Sequence, residues 1–133
     1  MKTLFADSFF YFALLNPADA AHEQAEAFLE NLDGKIVTTA WVLTELADGM
    51  ADPLDRRTFI RLHAALTSDP DVTIVPPDPG LFADGLALYA DRADKEWSLT
   101  DCISFVVMER FGLAEALTGD HHFEQAGLKA LLG

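Results

Sequence analysis

Short apolar segments with strand character alternate with helices along the whole chain, and this alternation restricts the possible folds more than any other feature. The predicted strands cover residues 3–6, 35–39, 72–75, 115–118 and 128–132, the last being weak because alanine and lysine are poor strand formers. The predicted helices cover residues 8–15, 19–32, 41–50, 54–66, 81–89 and 98–111. Such alternation favours an α/β fold, a small parallel sheet with helices on both faces, whose functional residues gather at the carboxyl ends of the strands.

Length and charge narrow the class of protein further. Residues 1–133 suffice for one domain, and no repeat or long linker divides them. The 22 acidic residues outnumber the 9 basic ones, giving a net charge of −13, whereas a protein that binds nucleic acid through phosphates usually clusters its basic side chains. No apolar run approaches the roughly 20 residues of a membrane helix, and Asp7 argues against a signal peptide. Because the single cysteine, Cys102, cannot form an internal disulfide, we expect a cytoplasmic protein.

Asp101 is the most informative residue because it is the only charge between Leu99 and Met108, in a helix that is apolar on nearly every side. Such a helix is expected to be buried, and a buried carboxylate needs a partner. This partner can be the backbone amide of Ser98, since Ser98 and Asp101 have the spacing of a capping box at the start of a helix.

Three further carboxylates belong with Asp101. Asp7 follows the first predicted strand and Asp120 follows the fourth, so a parallel sheet brings both to one edge; each can also simply cap a helix. Glu45 lies beside the apolar stripe of its helix, where an ordinary solvated glutamate is the alternative. Carboxylates about 4 Å apart repel by roughly 4 kcal/mol at an effective dielectric near 20, so such a cluster takes up protons or holds a cation. Oxygen ligands without cysteine favour Mg²⁺ or Mn²⁺ over zinc.

Four short segments together resemble the PIN-domain ribonucleases, a family that includes the VapC-type toxins. They are Phe5-Ala6-Asp7-Ser8, Thr44-Glu45-Leu46, Ser98-Leu99-Thr100-Asp101, and Leu117-Thr118-Gly119-Asp120 with Phe123. The resemblance implies a metal-dependent endoribonuclease in which Asp7, Glu45, Asp101 and Asp120 hold one or two divalent ions. It also implies hydrolysis of RNA phosphodiester bonds by a metal-activated water, leaving a 5′-phosphate and a 3′-hydroxyl. Toxins of this family are usually paired with an antitoxin, so a cognate antitoxin is the partner that kinship suggests.

Residues next to the four segments have secondary roles in this interpretation. Ser8 and Thr100 would orient carboxylates or water, or only cap helices. Arg92 and Lys95 are the basic residues nearest a motif and are therefore candidates for RNA contact. Trp97 could stack on a base, although packing in the core is the commoner role of tryptophan.

Two further predictions concern the termini of the chain. His121 and His122 follow Asp120 and could contribute to metal or phosphate binding, but consecutive helical side chains point in different directions, which favours surface or capping roles for them. The aromatic stretch from Phe9 to Leu15 exceeds what one face of a short helix can bury, which predicts a subunit interface and a homodimer.

Two other functions fit the same sequence. The first is a catalytically silent domain of this fold that binds RNA or protein, which the scarcity of basic residues favours. The second is a phosphotransfer domain of the receiver or haloacid-dehalogenase type, with Asp7 as the phosphoryl acceptor. The dehalogenase type requires a second aspartate two residues further on, where this chain has Phe9.

Overall fold

The computed structural model describes residues 2–133, and in this range five strands form one sheet in which every neighbouring pair is parallel. The strands are β1 (Lys2–Ala6), β2 (Gly34–Thr39), β3 (Val72–Val75), β4 (Glu115–Leu117) and β5 (Lys129–Ala130). Their order across the sheet is β3-β2-β1-β4-β5. The α/β fold with a small parallel sheet is therefore confirmed, and the weak fifth strand is only two residues long.

Seven helices connect and cover the strands within the described range. They are α1 (Ser8–Leu15), α2 (His22–Asn31), α3 (Ala40–Asp48), α4 (Pro53–Ser68), α5 (Pro79–Asp91), α6 (Leu99–Phe111) and α7 (His121–Gln125). The sequence patterns predict the first six to within three residues at either end. They miss α7, because five residues are too few to show a helical period. No helix among residues 2–133 has the length and apolar character needed to cross a membrane.

The strand order reverses direction at β1. The chain builds outward from β1 to β2 and β3, and then returns to place β4 on the other side of β1. Right-handed crossovers put the connections before and after this reversal on opposite faces of the sheet. Phe5 and Ala6 pair with Ala116 and Leu117, so the carboxyl ends of β1 and β4 lie side by side. A crevice at such a reversal is the usual binding site of an open parallel sheet.

Helix α6 is the central helix of the core, as its apolar sequence predicts. Its residues from Asp101 to Phe105 are buried, together with Val107 and Met108. Gly112 ends the helix with a φ of 67°, a left-handed conformation that glycine adopts without strain. Helix α5 packs closely on α6 at Gly85, where a Cβ atom would lie 2.3 Å from Cγ1 of Ile103.

Helix α1 buries only part of its aromatic stretch. Phe10 and Tyr11 are each 1% exposed, and Phe9 and Phe12 are partly buried against the core. Helices α2 and α3 pack on α1. Phe10 and Tyr11 are therefore core residues, whereas Phe9, Phe12, Leu14 and Leu15 keep part of their surface exposed, and a homodimer interface at α1 stays a prediction.

Candidate active site

A cleft of about 480 Å³ opens at the reversal of strand order, and four carboxylates line it. We call it the acidic cleft. Its lining consists of Asp7, Ser8, Phe9, Phe12, Glu45, Glu96, Ser98, Asp101, Asp120 and His122. The structure thus brings together the four acids that the sequence pattern selects, from the β1–α1 connection, α3, α6 and the β4–α7 connection. It adds Glu96 and His122 to them.

Asp7 is the most deeply buried acid of the cleft, with 4% of its surface exposed. It occupies the position before α1, but its side chain makes no capping hydrogen bond to that helix. Its Oδ2 atom instead accepts a hydrogen bond of 2.8 Å from the buried Thr118 hydroxyl. Burial raises the pKa of Asp7 from 3.8 to about 7, against the lowering effect of the Thr118 bond, and the nearby charges of Asp101 and Glu45 raise it further. The capping alternative for Asp7 is therefore not what the structure shows.

The carboxylates of Asp101 and Asp120 each accept a hydrogen bond from a backbone amide at the start of a helix. The Ser98 hydroxyl accepts from the Asp101 amide at 3.0 Å while Oδ2 of Asp101 accepts from the Ser98 amide at 3.3 Å, completing the capping box that the sequence predicts. Burial raises the pKa of Asp101, and the charge of Asp120 adds to this rise. Asp120 caps α7 by accepting from the His122 amide at 2.9 Å. Each carboxylate keeps an edge toward the cleft while it caps, so the two roles are compatible.

Glu45 reaches the cleft from α3, whose start is fixed by Thr39. The Thr39 hydroxyl accepts from the Val42 amide at 3.0 Å and sets the entry of the helix directly after β2. The Ser8 hydroxyl donates a hydrogen bond to Oε1 of Glu45 across 37 residues of sequence. Burial raises the pKa of Glu45, the Ser8 bond lowers it, and the charges of Asp101 and Asp120 raise it again.

His122 also lines the cleft, although the sequence favours surface or capping roles for both histidines. Its Nδ1 atom lies 3.3 Å from Oδ2 of Asp101 and 3.3 Å from Oδ1 of Asp120. His121 Nδ1 lies 3.7 Å from the same Asp120 oxygen. Consecutive helical side chains diverge, but both histidines lie close to Asp120 because both are in the first turn of α7, next to the side chain that caps this helix. The signal that could have found His122 is its offset of two residues from a capping aspartate.

Four other residues selected from the sequence lie outside the lining of the cleft. Thr100 is half-buried in the first turn of α6. Trp97 is 6% exposed, packs edge-to-face on Phe105, and donates from Nε1 to Gln125 at 3.0 Å, so its ring lies in the core and not open to a base.

Arg92 and Lys95, the two basic residues among these four, both lie close to the carboxylate of Asp94. Arg92 lies 5.0 Å above the Trp97 ring and forms two hydrogen bonds of 3.0 Å to Asp94. These bonds hold the pKa of Asp94 at about 2. Lys95 lies 4.0 Å from the same carboxylate. Neither cation therefore faces the acidic cleft in this structure.

The donor set of the cleft fits a divalent cation. Carboxylate and hydroxyl oxygens predominate, no lysine or arginine is part of the described lining, and the pKa of three of the acids is raised. Asp120, His121 and His122 place ligand atoms within 4.8 Å of one another. A dication between these groups would offset both the burial and the mutual repulsion that raise these pKa values.

A larger groove of about 550 Å³ lies at the other end of the sheet, between the amino ends of β1 and β4 and helix α2. Two of its cations flank one acid, with Lys2 Nζ 3.0 Å from Oε1 of Glu115 and Lys129 Nζ 4.0 Å from Oε2. Carboxylates do not converge there as they do in the acidic cleft.

Comparison with known proteins gives a consistent result. The family model described as PIN domain matches residues 5–129. Among solved structures, VapC20 of Mycobacterium tuberculosis, a sarcin–ricin loop cleaving toxin, matches with a TM-score of 0.85 and 25% identity, over 94% of this chain and 95% of that one. FitAcB of Neisseria gonorrhoeae matches with a TM-score of 0.66 and 23% identity, covering 96% and 95%. FitAB bound to the IR36 DNA fragment matches with a TM-score of 0.68 and 19% identity, covering 98% and 96%. No curated protein matches the sequence significantly.

Proposed function

The chain belongs to the PIN domain family, and from this premise we propose that it is a metal-dependent endoribonuclease acting as a toxin of the VapC type. One observation carries the proposal: Asp7, Glu45, Asp101 and Asp120 come from four separate parts of the chain and converge on one cleft at the reversal of strand order. Capping explains the backbone positions of Asp101 and Asp120, but it does not explain the buried Asp7 or the inward-facing Glu45.

The four carboxylates are the residues that would hold Mg²⁺ or Mn²⁺. When bound, such an ion activates water as a nucleophile and stabilises negative charge on the phosphate. Thr118 and Ser8 fix the orientation of Asp7 and Glu45 by donating to one oxygen of each, which leaves the other oxygen free to ligate. Asp7, with a pKa of about 7, gives up its proton when a cation enters the cleft.

The substrate that we propose is RNA. The similarity to VapC20, which cleaves the sarcin–ricin loop, makes a hairpin of that sequence the first RNA to try. The net charge of −13 and the engagement of Arg92 and Lys95 with Asp94 mean that a phosphate can approach the cleft only when a cation offsets the carboxylates. We also propose a cognate antitoxin as partner and the cytoplasm as the site of action, in keeping with the buried, free Cys102.

The proposal is tested by incubating the purified protein with a sarcin–ricin loop hairpin and with total RNA, in Mg²⁺, in Mn²⁺ and in EDTA. We expect cleavage with either metal and none in EDTA, with 5′-phosphate and 3′-hydroxyl ends. Asp101→Asn should abolish cleavage, while the exposed Asp33→Asn, which changes the same functional group outside the cleft, should cleave like the parent. Cleavage that persists in EDTA, or at the parental rate in Asp101→Asn, would refute the proposal. A parent that binds RNA without cutting any of it would favour the binding-module alternative.

A further inference from the structure

A ring nitrogen stands among the oxygens of the acidic cleft. The Nδ1 atom of His122 is equidistant, at 3.3 Å, from a carboxylate oxygen of Asp101 and one of Asp120. The imidazole is largely buried, with 19% of its side chain exposed, and it belongs to the lining of the cleft. Two of the four proposed ligands therefore share one nitrogen neighbour.

The backbone holds this nitrogen in place. Asp120 accepts from the His122 amide at 2.9 Å, so the carboxylate that the ring faces also fixes the residue that carries the ring. His121 stands beside it, with its ring centroid 4.4 Å from that of His122 and its Nδ1 3.7 Å from the same Asp120 oxygen. His121 is 73% exposed and is free to turn away, whereas His122 has little room to do so.

Nitrogen donors change which cation a site prefers. Mg²⁺ takes oxygen ligands almost exclusively, whereas imidazole suits transition ions, whose affinities for a nitrogen-containing site rise along the series from Mn²⁺ to Co²⁺ and Ni²⁺. Four carboxylates alone bind Mg²⁺ and Mn²⁺ with little discrimination. The same carboxylates with an imidazole nitrogen 3.3 Å from two of their oxygens favour the transition ion.

We propose that His122 is a metal ligand of the acidic cleft and makes it selective for a divalent transition ion over Mg²⁺. This inference rests on the proposed metal-dependent function and specifies the class of cation for the same site. His121 is the outer of the two rings and is not required for selectivity. The neutral ring offers the lone pair of Nδ1 to the ion, and Asp120 and Asp101 supply the adjoining oxygens.

The test measures binding of the metal alone to the full chain, without RNA. Isothermal titration calorimetry with Mg²⁺, Mn²⁺ and Co²⁺ compares the parent with His122→Asn, which keeps a polar group near the position of Nδ1 but has no ring nitrogen. His121→Asn tests the neighbouring ring, and the exposed His63→Asn on α4 is the matched control. Electron spin echo envelope modulation of bound Mn²⁺ reports directly whether a nitrogen is coordinated.

We expect the parent to bind Co²⁺ more tightly than Mg²⁺ and to show nitrogen modulation. In His122→Asn, the Co²⁺ affinity should fall about tenfold or more while the Mg²⁺ affinity changes little, and the nitrogen modulation should vanish. His63→Asn should behave like the parent, and His121→Asn should lose less Co²⁺ affinity than His122→Asn. Equal losses for Mg²⁺ and Co²⁺, or modulation that persists in His122→Asn, would overturn the inference.

The same titrations separate failure of this inference from failure of the proposed function. A parent that binds Mg²⁺ and Mn²⁺, loses both in Asp101→Asn and shows no nitrogen modulation refutes the role of His122 and leaves the metal-dependent function intact. A parent that binds none of the three ions refutes both.

Discussion

Replacing Asp7 with asparagine should stabilise the folded protein at alkaline pH, although it removes a proposed metal ligand. Folding raises the pKa of this carboxyl from 3.8 to about 7, mainly because it is buried, so between these values the folded state binds more protons than the unfolded state. The free energy of unfolding therefore falls as the pH rises from about 4 to about 7. At 1.36 kcal/mol per pKa unit, the ionisation of Asp7 costs about 2 kcal/mol at pH 5 and about 4 kcal/mol at pH 8.

Asparagine avoids this cost because it does not ionise, and its Oδ1 atom can still accept from the Thr118 hydroxyl. Thermal unfolding in EDTA at pH 5 and pH 8 measures the difference between parent and variant. For a domain of this size, 1 kcal/mol corresponds to roughly 3–4 °C, so the variant should melt about 10–15 °C above the parent at pH 8 and about half as far above it at pH 5. Asp33→Asn, at an exposed position, should shift the melting temperature little at either pH.

If Asp7→Asn raised the melting temperature equally at the two pH values, the stabilisation would not come from the ionisation of Asp7. A variant less stable than the parent at pH 8 would show that burial of the charged carboxylate is already compensated, and the reasoning would then be refuted.

Three further predictions follow from described contacts. The Mn²⁺ affinity of the parent should rise between pH 6 and pH 8, because the ion displaces a proton from Asp7, whose pKa is about 7. Calorimetry in two buffers of different ionisation enthalpy measures the protons released, and a flat profile would contradict this. Thr118→Val should lower the Mn²⁺ affinity about tenfold at pH 7 by removing the hydrogen bond to Asp7, and Thr118→Ser should restore it. Gly85→Ala should lower the free energy of unfolding by about 1–3 kcal/mol, because its Cβ would lie 2.3 Å from Cγ1 of Ile103. Denaturant unfolding of the single and double variants tests this contact: Gly85→Ala combined with Ile103→Ala should lose less stability than the sum of the two single changes.

The fold could be predicted from the sequence because each strand and each long helix carries its own period and its own end signals. Asp101 is an example. The apolar sequence of its helix predicts that the carboxylate is buried, and its spacing from Ser98 predicts the capping box that the structure contains. Asp7 and Asp120 were predictable as neighbours because each directly follows a strand, and parallel strands end at one edge of the sheet.

The sequence could not predict where side chains point on elements that are too short to show a helical or strand period. The ring of His122 enters the cleft because α7 is short and capped by Asp120, and the sequence shows this only to a reader who already places Asp120 as the cap. Arg92 and Trp97 lie close in sequence to the segment that begins α6, yet they pack on each other and point away from the cleft. Helices α2 and α3 pack on α1, and a pattern within α1 does not show them.

The hydrogen bond between Thr118 and Asp7 joins residues separated by 111 positions, and this separation has a consequence for biosynthesis. A ribosome releases β1 before β4, so a nascent chain contains Asp7 and Glu45 before it contains Thr118 and Asp120. Until β4 has been synthesised, β1 is an open edge strand with no neighbour on one side. A polypeptide that stops before Leu117 therefore lacks Thr118 and Asp120, and the acidic cleft assembles only after β4 has joined the sheet.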